Sequence, residues 1–194
     1  MPKFVDHESR RRELADALWR VAARDGLQAA TIRSVATESG WSSGALRHYF
    51  PSKGDMLLFA VDHAIGEVRE RIGGLRTTGL AALRSLLEEL LPLDERRRVE
   101  SEVWFVLAVR SQSDPELRDR RREVDGLIRD AVRGVVRGLA DLGLLAPHRD
   151  EDVETLRLHA LLDGLVVQAI ARPPALTPAE IQTILDAHLG ELGR

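Results

Sequence analysis

The sequence predicts an all-α chain of about nine helices, on the evidence of periodicity and punctuation. Apolar residues recur at i, i+3, i+4 and i+7 through almost every segment. Most segments open at Ser, Thr or Asp and close at Gly or Pro, the residues that start and stop helices. No run alternates apolar and polar residues between turn signals; residues 103–109 have the composition of a strand, but their flanks are helical.

Taken in order, residues 9–25 form the first helix, with Leu14, Ala17, Leu18, Val21 and Ala22 in one stripe and Gly26 as the stop. Arg10, Arg11 and Arg12 stand at its start, the unfavourable end of the helix dipole. They read either as a solvated charged face or as phosphate contacts.

Two short helical patterns then meet at a glycine. Thr31 caps the first, which carries Ile32, Val35 and Ala36 on one face. Gly40 supplies the positive φ of a tight stop. Ser42 caps the second, with Leu46, Tyr49 and Phe50 on one face and Trp41 packing under the turn. Two helices joined by a short Gly-containing turn form a helix-turn-helix, whose second helix enters the major groove of DNA.

Ser52-Lys-Gly-Asp55 reads as a capping box opening a long helix from Lys53 to about Ile72, with Met56, Leu57, Phe59, Ala60, His63 and Ala64 on its apolar face and Gly73-Gly74 as its end. The hinge between domains falls near residue 55. This gives a three-helix head carrying the helix-turn-helix over residues 1–55 and a helical-bundle body over residues 56–194. In the body, helices are expected over 78–91, stopping at Pro92, and over 94–112. Asp114-Pro115 opens a helix to about Leu142, stopped by Gly143. Asp150 caps a helix over 151–172, ended by Pro173-Pro174, and Thr177-Pro-Ala-Glu180 is a capping box opening the last helix to about Leu192.

The helix over 153–171 is apolar round most of its circumference and must be covered on all sides. Its Leu158, Leu162, Leu165, Val166 and Ile170, with Ile181, Ile184, Leu185 and His188 of the last helix, are expected to form a four-helix interface in a homodimer. The alternative is that both helices close the core of a single chain.

Composition bounds the function. The chain has 194 residues, 44% apolar and 30% charged, enough for one large domain or two small ones. It has no cysteine, which removes disulfides, thiolate catalysis and Cys-ligated metal sites and suits a cytoplasmic protein. The charged opening does not read as a signal peptide, and no apolar run approaches the roughly 20 residues of a membrane span. Net charge is −3, unevenly spread: residues 1–55 hold nine basic side chains (Lys3, Arg10, Arg11, Arg12, Arg20, Arg24, Arg33, Arg47, Lys53) against seven acidic, and the remainder 19 against 24. A basic end on an acidic body suits a DNA-binding head on a larger domain. Lys3 and Lys53 are the only lysines, an arginine preference that fits a GC-rich bacterial genome.

The run Thr31-Ile-Arg-Ser-Val-Ala36, Gly40, Ser43-Gly-Ala-Leu46, His48-Tyr-Phe50, Lys53 and Leu57 resembles the DNA-binding domain of the TetR family of bacterial transcription regulators. Trp104, Asp114-Pro-Glu-Leu117, Leu162-Asp-Gly-Leu165, Pro174-Ala-Leu-Thr177 and Leu185-Asp-Ala-His-Leu189 are similar to the C-terminal domain of the betaine-repressor-like branch of that family. The resemblance implies an all-helical homodimer. Its heads would bind a palindromic double-stranded operator, and its bodies would bind a small-molecule effector that alters the spacing of the heads, most often in a repressor.

On the second short helix, Ser42, Ser43, Gly44, Ala45, Arg47 and His48 occupy the exposed positions, and the resemblance adds Thr31, Arg33 and Lys53. Arg47 is the candidate for base readout, because arginine can clamp guanine O6 and N7. The family more often has tyrosine there, so a phosphate role does not carry over. Arg33 matches a position that reaches a base edge in the family. Thr31, Ser42, His48 and Lys53 suit phosphates; Ala45 suits a thymine methyl, and Gly44 close backbone approach. Each arginine alone would read equally as a solvated surface group; Tyr49 and Phe50 read as core.

Candidate ligand-binding residues are polar or aromatic groups within the apolar helices: Phe59, His63, Trp104, Phe105, Arg110, Ser111, Gln112, His159, Asp163 and Gln168. Trp104 and Phe105 read also as core, His159 and His188 as core or interface histidines, and Asp163 as an interface group. The betaine-like resemblance implies Trp104 and Asp163 as a pair holding a cationic amine by ring face and carboxylate. His63 and Glu67 stand four apart, but no pair has convincing metal-ligand spacing, and neither a metal nor a cofactor is expected. An enzyme would need a nucleophile with its base, a carboxylate pair or a cofactor loop, and the chain has no Cys, P-loop or G-x-G-x-x-G. The remaining alternative is a helical interaction protein that has lost DNA binding, against which the intact run from Thr31 to Lys53 argues.

Overall fold

The computed structural model describes residues 7–171 and 175–194: nine α-helices, one short 3-10 turn and no strand among them. Residues 1–6, with Lys3, and the Pro173-Pro174 stop lie outside the described residues.

Local chemistry accounts for the first four helices. α1 (His7–Asp25) buries Leu14, Ala17, Leu18 and Val21. It ends at Gly26, whose φ of 84° no β-carbon favours, and a 3-10 turn at Leu27–Ala29 follows that the periodicity did not signal. α2 (Ile32–Ser39) is capped by Thr31, whose hydroxyl accepts from the Ser34 N–H at 3.1 Å while the Ser34 hydroxyl accepts from the Thr31 N–H at 2.8 Å. Gly40, at φ 73°, stops it in the left-handed region. Ser42 caps α3 (Ser43–Tyr49) by accepting the Ala45 N–H at 3.1 Å. The Ser52–Asp55 capping box opens α4 (Lys53–Gly74), which runs on through Gly73 and Gly74.

The body holds α5 (Gly79–Glu88), α6 (Glu95–Arg110), α7 (Pro115–Asp141), α8 (Glu151–Ile170) and α9 (Pro178–Leu192). α5 and α6 are shorter than their apolar stripes suggested. The caps Asp114 with Pro115, Asp150 and the Thr177–Glu180 box are those the sequence announces, and Asp94, expected inside α6, caps it by accepting from the Arg97 N–H. α7 has 27 residues, so it extends about 40 Å at 1.5 Å per residue and reaches both cores.

One core joins Leu14, Leu18, Leu46, Phe50 and Leu57 to Val103 and Leu107 of α6 and to Leu117 and Val124 of α7. The head's core therefore does not stop at residue 55. The other core gathers Leu87 and Leu91, Val132, Val135 and Leu139 of α7, and the inward stripes of α8 and α9; Ile128 touches both.

This second core corrects the expected dimer interface. Leu158, Leu165, Ile181 and Leu185 are at most 2% exposed, and Leu162 and Val166 are also buried, all inside their own chain. A partner cannot reach them. Ile170 and Ile184 are half-buried against the same cluster, and His188 is half-buried beside it. The C-terminal half of α7 packs along α8, and Val132, Val135 and Leu139 of α7 share one core with the inward stripes of α8 and α9. What α8 leaves outward is a different stripe: Val153, Leu156 and Val167 are 51%, 54% and 48% exposed.

Candidate nucleic-acid interface and body cavity

Two buried side chains, Leu46 and Phe50, fix α3 to the head, and the helix phase then decides what the other residues can touch. Ser43, Gly44, Arg47 and His48 are exposed and Ala45 is half-exposed. A β-carbon on Gly44 would meet nothing nearer than the Ser42 hydroxyl at 3.9 Å, so this surface is open. Thr31, Arg33, Ser42 and Lys53 are also exposed. Trp41 packs edge-on against Tyr49, ring centroids 5.6 Å apart, beneath the turn as expected.

The head's charges sort into two groups. Arg20 and Arg24 both bond Glu38, at 2.8 and 3.0 Å, which ties α1 to α2 and holds the Glu38 carboxyl below the usual carboxylate range. Arg10 lies 5.4 Å over the Trp41 ring and Arg11 5.5 Å over Phe59, so both lean on the head's own aromatic rings. Arg33, Arg47 and Lys53 form no ion pair among the described residues. The unpaired positive charge is thus displayed along α2, α3 and the start of α4, where DNA phosphates would find it.

Gly40-Trp-Ser-Ser-Gly44 also spells the G-x-S-x-G of serine hydrolases. That motif needs a strand leading into a helix. Here a helix leads in, and the Ser42 hydroxyl is engaged as a cap.

A cavity of about 260 Å³ lies in the body between α4, α6, α7 and α8. Val61, Ile65, Val68 and Ile72 of α4 form one wall, and Val103, Trp104, Val124, Ile128, Leu162 and Val166 are among the residues that face it. Among its charged lining residues, Glu89 accepts from Arg71 at 2.6 Å, and Glu100 takes both arms of the same guanidinium at 2.7 and 2.8 Å. Those bonds keep Arg71 more firmly protonated than a free arginine.

Of the ligand candidates, the structure brings Trp104 and Asp163 to this cavity. The Arg121 guanidinium lies over one face of the Trp104 ring, 4.0 Å from its centroid. Helix phase places the other candidates away from this cavity. Phe59 packs on Phe50 in the head core, and His63 meets the edge of Trp19 at 4.7 Å, where burial lowers its pKa. Phe105, one residue from Trp104 and a hundred degrees round the helix, faces outward. Ser111 is buried and donates to the Ala108 carbonyl at 2.8 Å; Gln112 and Gln168 are exposed; Arg110 is half-buried away from this cavity. His159 sits behind Asp163, its Nε2 4.0 Å from Oδ1. The stripe Val61, Ile65, Val68 and Ile72 was missed although its helical spacing is readable; the Arg71–Glu89–Glu100 cluster, whose members lie up to 29 residues apart, gave no signal.

With this geometry in hand, the comparisons decide the family. The family model described as "Bacterial regulatory proteins, tetR family" matches residues 14–60, over the head. The one described as "BetI-type transcriptional repressor, C-terminal" matches residues 80–194, more than half of the chain. The chain belongs to the TetR family. It is 33% identical over 192 residues to the HTH-type transcriptional regulator PksA of Bacillus subtilis, covering 97% of this chain and 92% of that one. It is 25% identical to the regulator BetI of Stenotrophomonas maltophilia, covering 85% and 83%. Among solved structures, a Rhodococcus transcriptional regulator superposes with TM-score 0.77 at 32% identity, covering 94% of this chain and 95% of that one. A Saccharomonospora viridis regulator in complex with choline superposes with TM-score 0.81 at 27% identity, covering 93% and 95%. These relatives are transcription regulators, not enzymes, and the TetR-family reading of the head is the reading this chain takes. Among the described residues of this TetR-family chain, no three His, Asp or Glu side chains group as metal ligands would, and no helix is long and apolar enough to cross a membrane.

Proposed function

We propose that this TetR-family regulator is a cytoplasmic, ligand-responsive repressor that binds a palindromic operator as a homodimer and is released by a small molecule. One observation carries the reading. α4 packs Met56, Leu57 and Ala60 into the head's core, and its Val61, Ile65, Val68 and Ile72 line the body cavity. A molecule in the cavity touches the helix that carries the head.

Arg47 would read a base edge, Arg33 would reach a second, and Thr31, Ser42, Ser43, His48 and Lys53 would hold phosphates, with Gly44 and Ala45 allowing close approach. Two recognition helices must stand one DNA turn apart, about 34–36 Å. The outward Val153, Leu156 and Val167 of α8 support a second copy docking on that face. An effector that binds better when the heads are spread shifts the population away from DNA. The choline complex of the Saccharomonospora viridis relative supports a small organic molecule in the body.

The test is binding of the purified protein to the DNA upstream of its own gene and to selected random sites, at two salt concentrations. Binding should weaken steeply as salt rises, because neutralised phosphates release counterions. Leu156→Glu should yield a folded monomer that binds poorly. If random-site selection returns no preferred sequence, the regulator reading falls.

A further inference from the structure

The charges around the cavity do not balance, and the imbalance names a ligand chemistry. Glu89 and Glu100 are bonded to Arg71, and Arg97 bonds Asp94 at 2.9 Å and the Glu88 carbonyl at 3.1 Å. Asp163 has no such satisfaction: it is half-buried at the cavity wall, and His159 Nε2 stands 4.0 Å away, beyond a hydrogen bond. Behind it, Asp125 receives Arg121 at 2.7 Å through one oxygen, while its other oxygen is buried without a partner. Two carboxylates therefore share one guanidinium and an imidazole that is neutral unless protonated. One negative charge is in excess beside an apolar cavity, where burial already pushes the Asp163 carboxyl up. Arg69 also lines the cavity without an ion pair, but it is exposed, and an unpaired guanidinium in water carries no such penalty.

One face of the Trp104 ring already carries a cation, the Arg121 guanidinium 4.0 Å from its centroid. A quaternary ammonium has no N–H to donate to Asp163; a protonated primary or secondary amine does. The volume, about 260 Å³, stands at the small end of ligand pockets, which run from about 300 to 1,000 Å³. Building on the reading of this cavity as the effector site, we propose that it selects a hydrophobic molecule bearing one protonated amine, which donates its N–H to Asp163, over a quaternary ammonium.

Calorimetric titration of the full-length protein with 4-phenylbutylamine, 4-phenylbutan-1-ol and 4-phenylbutyltrimethylammonium tests it. The amine should bind about tenfold tighter than either analogue, the size of one hydrogen bond to a charged group. Asp163→Asn should bring the amine to the level of the alcohol. Ala131→Phe, which narrows the cavity, should weaken all three. The inference is overturned if the amine binds no better than the alcohol, if the trimethylammonium matches it, if Asp163→Asn keeps the preference, or if no probe binds. The three-probe comparison on the native chain decides whatever the variants do. Should another compound class release the operator while these probes fail, the amine inference falls and the regulator reading stands; should the amine bind with no operator to be found, the reverse holds.

Discussion

α3 and the body cavity hold the two candidate sites, and they are built in opposite ways. α3 has seven residues, and its cap, its anchors and its exposed side chains all lie between Ser42 and Phe50. The cavity draws its wall from α4 through α8, from Val61 to Val166. On α3, one residue can be exchanged without disturbing its neighbour's task; in the cavity, each wall residue also holds two helices together. Reading and sensing should therefore respond differently to substitution.

The largest expected effect sets adjacent residues of α3 against each other. Leu46 is wholly buried, so Leu46→Ala should destabilise the protein by about 2–5 kcal/mol, seen as a lower denaturant midpoint. Next, Glu100→Ala should cost about 1.5–3 kcal/mol of stability, since it removes both bonds from Arg71 in a partly buried cluster. Its effect on operator affinity, measured where the protein is fully folded, should be small. Arg47→Ala should leave the melting midpoint unchanged but cost about 1–3 kcal/mol of specific DNA binding, the value of one base-reading pair. If Arg47→Ala destabilised the fold, the separation of tasks within α3 would be lost.

The smallest effect is on pH. Burial lowers the pKa of His63 and His188 below the ordinary 6.5, so the unfolded chain takes up protons more readily than the folded one. Stability is then fully present above 6.5 and declines as pH falls through the folded values. Asp163, pushed upward by burial, works in the opposite sense. Thermal melts at pH 7.5 and 5.5 should show a slightly lower midpoint at the acid end, and His63→Phe should flatten the difference.

The same contrast explains how much the sequence disclosed. Helix starts were legible because caps are local chemistry: Thr31, Ser42, Ser52, Asp114, Asp150 and Thr177 each precede their helix as read. The exposed positions of α3 were legible because Leu46 and Phe50 fix its phase. The cavity was not, because Phe59, His63, Phe105, Ser111 and Gln168 sit on suitable helices at unsuitable angles, and only packing sets those angles. The burial of the α8 stripe was hidden for a related reason. An all-apolar α8 tells that both sides need cover, but not that α7 supplies the side bearing Leu158 and Leu165.

The core that runs from Leu18 and Leu46 into Val103, Leu107, Leu117 and Val124 bears on how such a protein can be rebuilt. A chimera that joins residues 1–55 to a relative's body would set this head's buried leucines against α6 and α7 surfaces shaped for another partner. The transplantable unit is larger: α1 through the first turns of α4, together with the facing stretches of α6 and α7. A lineage that exchanged operators by shuffling heads alone would leave a cavity or a clash at that seam. On the function proposed above, changes of operator should therefore accumulate as substitutions on the outer face of α3, at base-reading positions such as Arg47, and leave the seam untouched.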